Sequence, residues 1–292
     1  MILYTNSLKK REFDKKGPQN FCSERATIVN RQGASENENS EAAELRKRSS
    51  GPFSREAGEQ SELARRDPTQ SKTDSASCLC INAKNISKSF KSPTATTILK
   101  NISLEVQAGE TVAIMGKSGE GKTTLLHILG TLEPATEGTL EICGLTATSS
   151  NWNYLRNQKI GFIFQAFNLL EDYTVLENVL MPAKIANQDA HERALELLQE
   201  VGLSHRKDFP AKLLSGGEKQ RAAIARAFLN DPALILADEP SGNLDHANST
   251  IIYNLLLGAA QKRGKALIVV THDSELAALC QKTYSLMDGE LR

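Results

Sequence analysis

The chain has 292 residues, 40% of them apolar and 24% charged, with a formal net charge of zero. This is an ordinary globular composition with enough apolar material for a sizeable core, and the balanced charge excludes a broadly basic nucleic-acid platform. No apolar run approaches the roughly 18–20 residues that cross a bilayer, so the chain is expected to be soluble by itself and to meet a membrane only through partner subunits.

Residues 1–77 mix charges of both signs with Ser, Asn, Gln and Gly, as in Glu36–Glu41 and Arg46–Ser50. Large apolar residues are too sparse there to offset the entropy of ordering. A disordered N-terminal tail is expected, with at most a marginal helix near Glu41–Lys47. Lys9, Lys10 and Arg11 follow the first apolar residues rather than precede them, the reverse of a secretory signal. The five cysteines, Cys22, Cys78, Cys80, Cys143 and Cys280, fit neither a disulfide framework nor zinc spacing, which points to a reducing compartment.

From Leu79 onward the pattern changes. Strands are expected at Cys80–Ala83, Ile102–Val106 and Thr111–Met115, then a helical stretch Thr124–Leu129 ending at Gly130. Further strands are expected at Gly138–Ile142 and Ile160–Phe164, followed by helices at Val175–Ala186, Asp189–Val201 and from Lys219 to about Leu229. Strand Leu234–Ala237, helix Ile251–Gln261, strand Ala266–Val270 and helix Ser274–Cys280 complete the series. Alternation of this kind predicts a mostly parallel sheet covered by helices.

The strand Thr111–Met115 runs directly into Gly116, Lys117, Ser118, Gly119, Glu120, Gly121, Lys122 and Thr123, which match the phosphate-loop pattern G-x-x-x-x-G-K-[ST]. Gly116, Gly119 and Gly121 are expected to let backbone N–H groups face an anion at the positive end of the helix that continues through Thr124. Lys122 would bring a point charge to the β- and γ-phosphates, and Thr123 a hydroxyl to Mg²⁺. Glu120 is expected to point to solvent, away from the phosphates. A glycine-rich turn by itself would be unremarkable; the strand before and the helix after give it meaning.

The apolar run Ala233–Ala237 ends in Asp238 and Glu239. Alone, adjacent acids at a strand end would read as a solvated turn. Beside a phosphate loop, Asp238 is expected to hold Mg²⁺ through water and Glu239 to act as general base on the attacking water.

A phosphate loop leaves many NTPase families open, from GTPases to kinases. The motif Leu214, Ser215, Gly216, Gly217, Glu218 narrows the field, because it resembles the LSGGE/LSGGQ signature of the ABC superfamily. Ser215, Gly216 and Gly217 also offer N–H groups at a helix start, a second anion site. The resemblance, which covers about Leu79 to Arg292, implies several further roles. Gln165 matches the Q-loop that senses Mg²⁺ and the attacking water. His272 matches the switch histidine that contacts the γ-phosphate. Ser241–Asp245 matches the loop that crosses the dimer interface, and Phe90 lies where the family stacks an aromatic on adenine.

The fold so implied is an α/β P-loop NTPase of RecA-like kind, with a mostly parallel sheet core, an antiparallel β subdomain and a small helical subdomain at about 166–214, all within residues 78–292. The cofactors implied are ATP and Mg²⁺. The implied assembly is a homodimer of cassettes sandwiching ATP on integral membrane permease subunits, peripheral to the cytoplasmic face of a bacterial inner membrane, with no nucleic acid expected.

The stretches Leu155–Leu170, Tyr173–Pro182 and Ala237–Asp245 are most similar to the bacterial subfamily that serves lipoprotein-releasing complexes, whose relatives serve macrolide-type export and cell division. Soluble ABC ATPases that act on DNA or ribosomes usually carry tandem cassettes or long coiled-coil inserts, which this sequence lacks. The tail at 1–77 is a departure from the subfamily's usual bare cassette.

Overall fold

A computed structural model describes residues 79–91, 96–242 and 244–292 of the chain. The expected disordered tail at 1–77, with its marginal helix, lies outside the described residues. The first half runs β1 (Leu79–Phe90), β2 (Thr96–Gln107), β3 (Thr111–Met115), α1 (Lys122–Leu129), β4 (Glu137–Ile142), β5 (Leu145–Thr146), α2 (Trp152–Tyr154) and β6 (Ile160–Ile163). There follow α3 (Val175–Ile185), α4 (His191–Glu200), α5 (Gly216–Phe228), β7 (Leu234–Asp238), α6 (His246–Lys262), β8 (Ala266–Thr271), α7 (Ser274–Ala278), β9 (Lys282–Met287) and β10 (Glu290–Leu291).

The strands form two sheets, an antiparallel one in the order β2-β1-β4-β5 and a six-stranded one in the order β10-β9-β3-β8-β7-β6. In the second sheet β9, β3, β8, β7 and β6 pair in parallel, and only β10 turns back against β9.

The central strands are apolar without alternation because both of their faces are covered. Along β7, Ile235 and Ala237 join one core with α3, α4, α5 and α6. Leu234 and Leu236 point the other way, into a core with α1 and the antiparallel sheet. Neighbouring β8 divides in the same manner, Leu267 and Val269 to the first core, Ile268 and Val270 to the second. Each fully buried Leu, Ile or Val contributes about 1.5–3 kcal/mol, so truncating Leu236 to alanine would cost about 2–5 kcal/mol once the cavity is included.

The expected elements are all present, with instructive differences in extent. β1 covers twelve residues rather than Cys80–Ala83 alone. Its register against β2 slips between Ala83 and Ile86, where Asn85 adopts a left-handed φ of 54°, and this bulge hides the period of two. α5 begins at Gly216, not Lys219, since Ser215 caps it with a reciprocal Ser215–Glu218 capping box that offsets two poor helix formers. α6 starts at His246, where Asp245 Oδ1 accepts the Asn248 N–H at 2.9 Å. β9 and β10 were not expected. Their polar Lys282, Thr283 and Ser285 carry no apolar stripe, and the parallel pairing to β3 recruits them.

Candidate functional site

The loop between β3 and α1 is shaped by its glycines for two different reasons. Gly121 caps α1 at φ 96°, a left-handed conformation that a side chain resists, and a Cβ there would stand 2.6 Å from Ile98 Cγ2 of β2. Gly116 has no positive φ; a Cβ on it would lie 2.6 Å from the Leu286 carbonyl oxygen of β9, so its requirement is space.

Lys122 is buried at the start of α1, and its Nζ donates to the carbonyls of Gly116 at 2.7 Å and Lys117 at 3.0 Å, back across its own loop. Lys117, Ser118 and Gly119 are exposed on the loop, and Thr124 is half-buried one residue into the helix turn after Thr123.

Glu120 reaches the exposed residue Asp288. Its Oε2 accepts the Asp288 N–H at 2.9 Å, which fastens the loop to the turn between β9 and β10. The carboxylate gains a charge-assisted backbone donor there.

Thr123 donates its hydroxyl to Asp238 Oδ1 at 3.2 Å, joining α1 to the end of β7. Asp238 is 6% exposed, and this burial raises its carboxyl above the usual 3.8, opposed chiefly by the Thr123 hydrogen bond.

Glu239, one residue on, has a left-handed φ of 42°, held by its N–H donating to the Val270 carbonyl at 2.9 Å. A β-carbon in this region is uncommon and costs free energy that the surroundings must offset. The result turns the carboxylate off the sheet. Glu239 Oε2 accepts from the Thr271 hydroxyl at 3.3 Å and stands 2.9 Å from His272 Nδ1, while Oε1 lies 4.0 Å from Lys122 Nζ.

Gln165 is exposed just past β6. Its Nε2 would lie 3.1 Å from a Cβ on Gly242, so the amide crosses the loop that follows Glu239. Phe90 closes β1, facing Thr96 on β2, two residues from the Ile98 that packs on Gly121. It is 39% exposed, with Lys88 Nζ 4.9 Å from the ring centroid. The Phe90 face is thus presented at the phosphate-loop end of the antiparallel sheet.

The structure therefore brings Lys122, Thr123, Asp238, Glu239, His272 and Gln165 to one end of the parallel sheet, at the carboxyl ends of β3, β6, β7 and β8. Ser215, Gly216 and Gly217 behave differently. They begin α5, and no hydrogen bond or ion pair among the described residues joins them to the phosphate loop. Within the chain, Glu218 spends its carboxylate on the Ser215 N–H at 2.8 Å and the Arg206 Nε at 3.2 Å.

Some supporting residues carried no motif. Tyr253 of α6 is 2% exposed, and its hydroxyl lies 2.6 Å from Ser241 Oγ and donates to Asp273 Oδ2. It thereby ties the loop after Glu239 to the residue after His272. Burial first, and the Asp273 carboxylate second, push the Tyr253 hydroxyl up to about 12.

Asn178 and Arg226 hold the segment after Gln165. The Asn178 side chain bonds Leu170 N and O at 2.7 and 3.0 Å, and Arg226 donates to the Asn168 and Phe167 carbonyls at 2.6 and 2.8 Å. Periodicity alone marks Tyr253 as a core position on a helix; nothing in the sequence marks its hydroxyl.

The ABC transporter family profile matches residues 99–242. The lipoprotein-releasing system ATP-binding protein LolD of Protochlamydia amoebophila is 53% identical over 221 residues, 74% of this chain and 97% of that protein. The protein of the same name from Bacteroides thetaiotaomicron is 44% identical over 218 residues, 73% of this chain and 99% of that one. Among solved structures, the dimeric structure of MJ0796, a bacterial ABC transporter cassette, is 39% identical with a TM-score of 0.68, covering 73% of this chain and 96% of that one. A dimeric post-hydrolysis state of MJ0796 bound to ADP and Pi is similar at 38% identity and the same TM-score of 0.68, over 73% of this chain and 96% of that one.

Proposed function

The chain belongs to the ABC transporter family, and from that membership we propose that it is the ATP-hydrolysing subunit of a lipoprotein-releasing system, seated on integral membrane permease subunits at the cytoplasmic face of a bacterial inner membrane. It is an ATPase, converting ATP and water to ADP and phosphate. The reading rests on a single observation: a phosphate loop, a buried Asp238 and a Glu239–His272 pair converge in a chain 53% identical to a lipoprotein-releasing ATP-binding protein.

In this mechanism the backbone N–H groups around Gly119 and Gly121 cradle the triphosphate at the positive end of α1. Lys122, anchored to two loop carbonyls, offers its ammonium protons to the phosphate oxygens. Phe90 gives the adenine a stacking face without a hydroxyl. Glu239 accepts a proton from the attacking water; His272 and Thr271 orient its Oε2 and keep Oε1 turned toward Lys122. Gln165, lying over Gly242, positions that water beside Glu239.

The donor set fits Mg²⁺, since Thr123 Oγ1 and Asp238 Oδ1 are hard oxygens 3.2 Å apart, and these two residues would hold the ion, Asp238 through water. When bound, the ion supplies neutralising charge to the phosphates.

The N–H groups of Ser215, Gly216 and Gly217 serve the γ-phosphate held by a second copy of the chain. Their separation from the chain's own phosphate loop supports this, as does likeness to the dimeric MJ0796 cassette. Two such copies close on ATP and part when the terminal phosphate is cleaved, and that cycle drives the permease. No helix among the described residues is long and apolar enough to cross a membrane, so the membrane-spanning path is assigned to partners.

The test is capture of the tagged full chain from detergent-solubilised membranes, with mass spectrometry of what accompanies it. Integral permease subunits, and lipoprotein release that depends on ATP after reconstitution, are expected. Recovery of ribosomes or nucleic acid in place of a permease would overturn the assignment.

A further inference from the structure

Far from the nucleotide loops, the antiparallel sheet holds two sulfurs in contact. Cys80 of β1 and Cys143, just past β4, have their Sγ atoms 3.6 Å apart although 63 residues separate them in sequence. The register makes this contact a property of the fold. Ile81 faces Ile142, so the next facing pair outward is Cys80 and Cys143, and the Cys143 N–H donates to the Cys80 carbonyl at 2.9 Å. Facing residues of an antiparallel pair have Cα atoms about 4.5–5.5 Å apart, within the span that a disulfide bridges.

The two thiols differ in access. Cys80 is 2% exposed and its sulfur lies 3.6 Å from the Ala233 carbonyl. Cys143 is half-buried at the start of the turn to β5, with a left-handed φ of 50° that Gly144 continues. Cys143 is thus the more exposed residue of the two and Cys80 the buried one, an order that suits an attacking and a resolving thiol.

We infer that Cys80 and Cys143 form a dithiol modification site, which hydrogen peroxide converts to an intrachain disulfide. The hydrogen bond shared with Cys80 lowers the Cys143 thiol to about 7, aided by the charges of Lys159 and Lys265 and opposed by burial. The Cys143 thiolate attacks the outer peroxide oxygen; the O–O bond breaks, Cys143 becomes a sulfenic acid and hydroxide leaves. That hydroxide takes the Cys80 proton as water. The Cys80 thiolate then attacks the Cys143 sulfur, the S–S bond forms and a second hydroxide departs. Two electrons pass from the two sulfurs to the peroxide. The bridge encloses residues 80–143, and with them β3, the phosphate loop and α1, in one covalent ring.

The experiment treats the reduced full-length chain with a small molar excess of hydrogen peroxide at neutral pH, blocks the remaining thiols by alkylation and maps the peptides by mass spectrometry without reduction. The work is done in a Cys78→Ser background, so that a neighbouring thiol does not blur the assignment. A Cys80–Cys143 linked peptide lighter by two hydrogens, reversed by dithiothreitol, is expected.

Loss of the Cys143 thiol should be roughly a hundredfold faster than loss of Cys280, whose thiol burial pushes up to about 11. Cys80→Ser, an isosteric change, should stop the reaction at a Cys143 sulfenic acid that dimedone captures. Oxidation of Cys143 to sulfinic acid while Cys80 stays alkylatable would overturn the inference, as would Cys143 and Cys280 reacting at equal rates.

Discussion

His272 Nδ1 stands 2.9 Å from Glu239 Oε2, although the imidazole is largely exposed and the carboxylate is nearly covered. Backbone geometry brings the two residues together, through the left-handed turn at Glu239 and the end of β8 at Thr271. Replacing Glu239 by glutamine keeps the shape and removes the proposed base. Turnover should fall by about 10²–10⁴-fold while ATP binding survives, and an ATP-dependent dimer should accumulate. Phosphate release and gel filtration with ATP read both effects. Rapid hydrolysis by Glu239→Gln would remove Glu239 from the role of base.

Lys122 reaches the Gly116 and Lys117 carbonyls and lies 4.0 Å from Glu239 Oε1, so its ammonium is shared between the loop and the Glu239 carboxylate. In Lys122→Ala the charge-assisted contacts to phosphate are lost, worth about 1.5–3 kcal/mol, or ten- to a hundredfold in ATP affinity. Titration calorimetry with ATP should show it; unaltered affinity would contradict the placement of the triphosphate on this loop.

Asp238 offers a test in pH. Burial raises its carboxyl above 3.8, so the folded chain binds that proton more tightly than the unfolded chain. Its contribution to stability is therefore present below 3.8 and lost as pH rises through the raised value, leaving a cost at neutral pH. In the nucleotide-free chain, Asp238→Asn should increase the urea midpoint at pH 7 and leave it unchanged below pH 3.8. The same substitution should lower turnover about 10²–10³-fold. A lower midpoint at pH 7 would show that the negative charge stabilises the fold.

Tyr253 bridges Ser241 and Asp273, and Tyr253→Phe removes only the hydroxyl. Stability should drop by about 1–2 kcal/mol, because Asp273 and Ser241 lose a buried partner. Folding holds the phenol neutral, raised from 10.0 to about 12, so its share of stability is complete below pH 10 and disappears as pH climbs through 12. The alkaline fall of the denaturation midpoint between those values should flatten in Tyr253→Phe. An identical alkaline limb in both proteins would exclude the bridge.

Chemistry that lies contiguous along the chain was legible before folding. Thr111–Thr123 is strand, loop and helix start in unbroken order, and Ala233–Glu239 is an apolar strand with two acids at its end, so local residue types announce both the element and the charge it carries. The parallel sheet was likewise readable from strands alternating with helices.

What only the tertiary structure decided are relations between distant residues: Thr123 with Asp238, Tyr253 between Ser241 and Asp273, Arg226 on the Phe167 and Asn168 carbonyls, and Cys80 against Cys143. The bulge at Asn85, the hairpin of β9 and β10 and the hold of Asp288 on Glu120 belong to the same class. The physical reason is common to all of them. Motifs and periods record what each residue does to its own backbone and face, whereas hydrogen bonds and packing reward whichever groups the sheet order brings together, and that order is set by burial of the whole core rather than by any stretch of sequence.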